Sequence, residues 1–170
     1  MNNLRYISCF VLIFLLQLAL TKYCQIGSYI YICLLPALIL SLPTSYAGWY
    51  DMLIAFICAI IVDGFADGQW GMNAAALIPA AALRKSFISI FIGSELVERG
   101  YSFSFYTNGI GKVGAAMLAT MLVYMSIYVF LDCAGVRSWG FIAMRLLLSS
   151  LVSMIFSMIA INILCPRPKR

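Results

Sequence analysis

The chain has 170 residues, 64% of them hydrophobic and 10% charged, with mean hydropathy +1.01 and net charge +5. That leaves too little polar surface to cover a soluble globule, so the sequence reads as an all-α, polytopic membrane protein forming one domain over residues 1–170. Its basic residues are scattered beside apolar tracts, as topology signals are, which argues against nucleic-acid binding. With no histidine and no Cys-x-x-Cys pair, no metal set or cofactor is expected.

Six apolar tracts follow in order: Tyr6 to Thr21, Ile26 to Leu42, Ala47 to Val62, Trp70 to Leu83, Val113 to Leu131 and Trp139 to Leu164. At ~20 residues per crossing they predict six transmembrane helices in one compact bundle. The first tract is followed by Thr21, Lys22, Tyr23 and Cys24 rather than a small-residue cleavage site, so it is read as a retained helix. Pro43 ends the second tract, whereas Pro36 and Pro79 lie inside spans, where a kink is expected. The fourth tract stops at Arg84 and Lys85, because carrying two cations to mid-membrane would cost ~2.5 kcal/mol or more each. Ser86 to Gly93 is accordingly read as an interfacial helix. A Cys24 to Cys133 disulfide on the outer face is an open alternative to free thiols.

With a cytoplasmic N-terminus, the inside segments hold Arg5, Arg84, Lys85, Arg99, Lys112, Arg167, Lys169 and Arg170, against Lys22 and Arg137 outside. Both termini are therefore expected in the cytoplasm. Asp63 to Gln69 becomes a tight outer hairpin.

Polar residues facing the interior are few. Asp63 and Asp67 either bind a cation or move a proton as a pair, or cap and bound the hairpin. Arg145 lies six residues into the last tract and needs a partner or a route to water. Two readings stand equal: an interhelical pair with Asp63, or a side chain that snorkels to the outer headgroups. Ala76 and Ala80 give a small-xxx-small spacing suited to close helix packing, within the bundle or on a partner's helix. No nucleotide loop, hydrolytic triad or zinc motif occurs, which argues against an enzyme.

The stretch from Ala59 to Ala76, AIIVDGFADGQWGMNAAA, resembles the central signature of the rod shape-determining protein MreD family. In that pattern an apolar helix ends in Asp, a short turn follows, and Gly, two variable residues and Ala open the next helix. Asp63, Gly71 and Ala74 fall on it. Asn73 stands where the family often has His, and Ala59 where Gly is common. Length, six tracts, the basic segment from Arg84, Asp132 after the fifth tract and Arg145 in the sixth extend the likeness, which looks closest to the Bacteroidetes versions. The resemblance implies a non-enzymatic component of the cell-elongation complex in the bacterial inner membrane. Implied partners are an MreC-like membrane protein, the MreB filament, the RodA and penicillin-binding-protein synthase, and membrane lipid. The alternative is the substrate-binding membrane subunit of an energy-coupling-factor vitamin transporter, whose six-helix architecture is similar.

Overall fold

A computed structural model describes residues 3–23, 30–44, 47–65, 70–93, 109–133 and 137–164. It is helical, with α1 over Asn3–Tyr23, α2 over Leu35–Ser41, α3 over Gly48–Phe65, α4 over Met72–Phe91, α5 over Ile110–Asp132 and α6 over Trp139–Leu164. Five of these, all but α2, are long and apolar enough to cross a membrane, which makes the chain a multi-pass membrane protein.

The second tract departs from the expected continuous span. Its helical part is only seven residues, ~10 Å long, and is preceded by a non-helical stretch at 30–34. Two prolines explain the brevity. A helix cannot extend far upstream of Pro36, whose ring would meet the carbonyl four residues back and which offers no N–H. At the other end Pro43 disfavours helical geometry at Leu42, which sits at φ −57°, ψ 150°. Pro36 thus helps set the start of a helix where a kink was expected.

All seven residues of α2 are buried, because this short helix touches every other helix. Around it α3 packs on α4, α4 on α5 and α5 on α6, while α1 closes the ring between α3 and α6. Residues that would be lipid-facing in a single span therefore form the hub of the core: Ile32, Cys33, Leu34, Leu35, Leu38, Ile39 and Leu40 are each at most 5% exposed. The outer faces carry exposed Leu12, Leu15, Phe56, Ile57, Leu151 and Ile155, the pattern of helices that face lipid.

Contacts fix the direction of each element. Tyr6, early in α1, donates to the Ser41 carbonyl at the end of α2, whereas Gln17, late in α1, meets Leu34 at its start, so the two run antiparallel. Asp51 and Asp63 of α3 face Arg84 and Asn73 of α4 respectively, which makes these antiparallel too. The start of α1 and the end of α6 lie at the same end of the bundle, since Tyr6 bonds Ser41 at the end of α2 and Ile161 shares a buried cluster with Leu40.

The fourth tract also differs. Helix α4 runs unbroken through Arg84 and Lys85 to Phe91, so no separate interfacial helix begins at Ser86. The cost that argued against this is met by a partner, as described next.

Candidate functional site: two polar knots on the α3–α4 hairpin

Helices α3 and α4 are tied at two levels. Asp51 to Asp63 is ~18 Å along one helix and Asn73 to Arg84 ~16 Å along the other.

At the first knot, Asp63 is 1% exposed and its carboxylate is fully engaged with the start of α4. Oδ2 accepts from the Gly71 N–H at 3.0 Å and the Ala74 N–H at 3.4 Å; Oδ1 accepts from the Asn73 N–H at 3.1 Å and from its Nδ2 at 2.8 Å. A carboxylate here satisfies N–H groups that an apolar environment would leave orphaned, and it meets the positive end of the α4 dipole. Gly71, at φ +91°, provides the left-handed turn that aims these N–H groups back at α3. Asp63 thus caps the start of α4, as one of its two readings expects. Asp67 lies outside the described residues.

Asn73 extends the knot into the core. Its Oδ1 accepts from the Tyr31 hydroxyl at 3.2 Å and from the Tyr124 hydroxyl of α5. Tyr31 also stacks on Tyr128, with ring centroids 4.3 Å apart. One amide thus joins α3, α4, α5 and the stretch before α2.

Non-helical backbone inside an apolar bundle must find its hydrogen bonds in side chains. The Tyr31 N–H donates to Ser149 Oγ and the Cys33 N–H to Ser153 Oγ, both at 3.0 Å, while the Leu34 N–H donates to Gln17 Oε1 at 2.6 Å. Ser153 Oγ in turn donates to the Tyr31 carbonyl at 3.2 Å. Neighbouring N–H groups at 33 and 34 thus find acceptors on two different helices, α6 and α1.

The second knot is an ion pair with both side chains at 0% exposure: Arg84 Nη1 to Asp51 Oδ2 at 2.7 Å. Arg84 Nη2 also donates to the Leu42 carbonyl and, at 3.4 Å, to that of Leu40. The guanidinium therefore serves the carbonyls that α2 leaves free at its C-terminal end, and Asp51 balances its charge. Asp51 Oδ1 and Arg84 Nε have no hydrogen-bond partner among the described residues.

Arg145 does not pair with Asp63. Its Nη1 forms an ion pair with Asp132, the last residue of α5, and lies 3.7 Å from the Cys133 sulfur. Asp63 is occupied by α4, whereas Asp132 ends α5 and Arg145 stands in the second turn of α6. Cys133 is a free, buried thiol, which removes the Cys24 disulfide; Cys24 itself lies outside the described residues. Ala74, Ala76 and Ala80 are buried where α4 packs on its neighbours inside the bundle.

Sequence reasoning passed over Asp51, Gln17, Tyr31, Tyr124, Ser149 and Ser153. A signal existed for each polar one among them: Asp51 is an acid within the third tract, Gln17 stands in an otherwise apolar run, and Ser149, Ser153 and Ser157 recur every fourth residue. No family model, curated protein or solved structure matches the chain.

Proposed function

We propose that this protein is a non-enzymatic scaffold of the cell-elongation complex in the bacterial inner membrane, related to the MreD family. It would hold an MreC-like membrane protein and link it to the MreB filament and to the RodA and penicillin-binding-protein synthase. One observation carries the reading. Asp63, Gly71 and Ala74, the residues on which the resemblance rests, all act in one junction, with Asn73 between them. A motif explained by the joining of two helices suits a protein whose job is to present a fixed surface. Among the described residues, most polar side chains of the core are taken up by hydrogen bonds to backbone groups or to one another.

In this reading the stretch 30–44 is a broken second crossing. Non-helical backbone followed by α2 runs between the same two ends of the bundle as the long helices, giving six crossings with both termini in the cytoplasm. Reporter fusions at Met1 and Arg170 test this; a periplasmic signal at either end removes it.

A second reading, the substrate-binding subunit of a vitamin transporter, is favoured by that same broken crossing, since discontinuous helices build substrate sites in many transporters. Depletion in the rod-shaped host separates the two. Rounded or swollen cells support the scaffold, and normal rods with a vitamin requirement support the transporter.

A further inference from the structure

Helix α6 presents three serines at successive four-residue intervals, Ser149, Ser153 and Ser157, all at 0% exposure. The first two accept the alternate N–H groups of Tyr31 and Cys33. Ser157 Oγ, buried in the same stripe, has no hydrogen-bond partner among the described residues. The repeats match: four helical residues rise ~6.0 Å and two extended residues ~6.6 Å. Continuing the alternation, the N–H that belongs to Ser157 is that of Leu35.

That N–H is diverted. Leu34 sits at φ −102°, ψ −6°, which turns the chain into α2 one residue early and so carries the Leu35 N–H away from the alternation that Tyr31 and Cys33 follow. Two local preferences favour the other arrangement. A residue that caps a helix N-terminus usually has extended backbone, and α2 has no side-chain cap here. Leu35 precedes Pro36, and residues before proline also prefer extended backbone, with proline favoured as the first helical residue.

We infer that the 30–44 segment is a two-register element, in which Leu34 and Leu35 switch from helical to extended and the Leu35 N–H moves onto Ser157 Oγ as a third rung. The switch gives up the Leu38 N–H to Leu34 carbonyl bond, 3.1 Å in the present register. Two residues going from ~1.5 to ~3.3 Å of rise each lengthen the segment by ~3.6 Å. With its upper part held on Ser149 and Ser153, the added length pushes α2 toward Arg84. Its carbonyls at Leu40 and Leu42 rest on that guanidinium, so the change reaches the Asp51–Arg84 pair at the far end of the hairpin. The element therefore couples the two ends of the bundle through its centre, as small shifts in packed cores act between discrete states.

The test is NMR of the full chain, labelled at leucine and reconstituted in lipid nanodiscs. Wild type is expected to show two exchanging conformers at Leu34 and Leu35, one with helical and one with extended carbon shifts. Ser157→Ala should leave the helical one alone, and Pro36→Ala should shift the population toward it. Ser150→Ala is the control, because its hydroxyl bonds its own helix at the Leu147 carbonyl, and it should leave both conformers. A single conformer in wild type, or exchange that persists in Ser157→Ala, overturns the inference.

Discussion

Arg84 shows how much one side chain can govern in an apolar core. A guanidinium at 0% exposure is tolerable only because Asp51 and the carbonyls of Leu40 and Leu42 surround it, so removing either charge strands the other. Arg84→Gln and Asp51→Asn are each expected to destabilise the protein by about 3–5 kcal/mol, while the double substitution falls short of their sum. Thermal unfolding in detergent, run as a double-mutant cycle, reads this. The same measurement distinguishes the acids near Arg145. That side chain is 17% exposed and its partner Asp132 18%, so their coupling should exceed the roughly 0.2–1 kcal/mol of an exposed pair yet fall below that of Asp51 and Arg84, whereas Asp63 and Arg145 should behave additively.

Among the elements, the α3–α4 junction and the non-helical stretch before α2 depend on different chemistry. Asp63→Ala leaves three backbone N–H groups of α4 without their acceptor and should cost about 1–3 kcal/mol. Gly71→Ala meets no steric obstacle at Cβ, yet its positive φ makes a loss of about 1–2 kcal/mol the expectation. Both losses are measurable as lowered unfolding temperatures, and a neutral Gly71→Ala would mean that the turn can relax. On α6 two serines three residues apart should separate cleanly. Ser153→Ala removes the acceptor of the Cys33 N–H and should destabilise by about 1–3 kcal/mol, while Ser150→Ala, which affects only a bond within its own helix, should be close to neutral.

At the level of the whole molecule, a ring of five long helices around one buried segment fixes which loops share a side. Lys22, at the end of α1, and Arg137, before α6, are exposed at one end, and Lys112, at the start of α5, at the other. In a cysteine-free background, Lys22→Cys and Arg137→Cys should react with an impermeant thiol reagent from one face of the membrane and Lys112→Cys from the opposite face. Labelling of all three from one face contradicts the antiparallel ring.

Composition alone determined that this chain lies in a membrane, and the apolar tracts marked the cores of the five long helices but ended the fourth at Leu83, short of Phe91, because hydropathy breaks where charge begins. The Asp63, Gly71 and Ala74 pattern marked the α3–α4 junction for a local reason: its donors and acceptor lie within 11 residues of one another. The fate of Arg84 was decided only in three dimensions. Its penalty was legible in the sequence, but the acid that offsets it stands 33 residues earlier on another helix. Arg145 likewise had several acids to choose from, and only packing put Asp132 beside it. The second tract reads as a span by hydropathy, yet its non-helical half survives because Gln17, Ser149 and Ser153, from both ends of the chain, meet its backbone. Hydropathy reports what a segment can be dissolved in; which partners satisfy its polar atoms is set by what folding brings alongside.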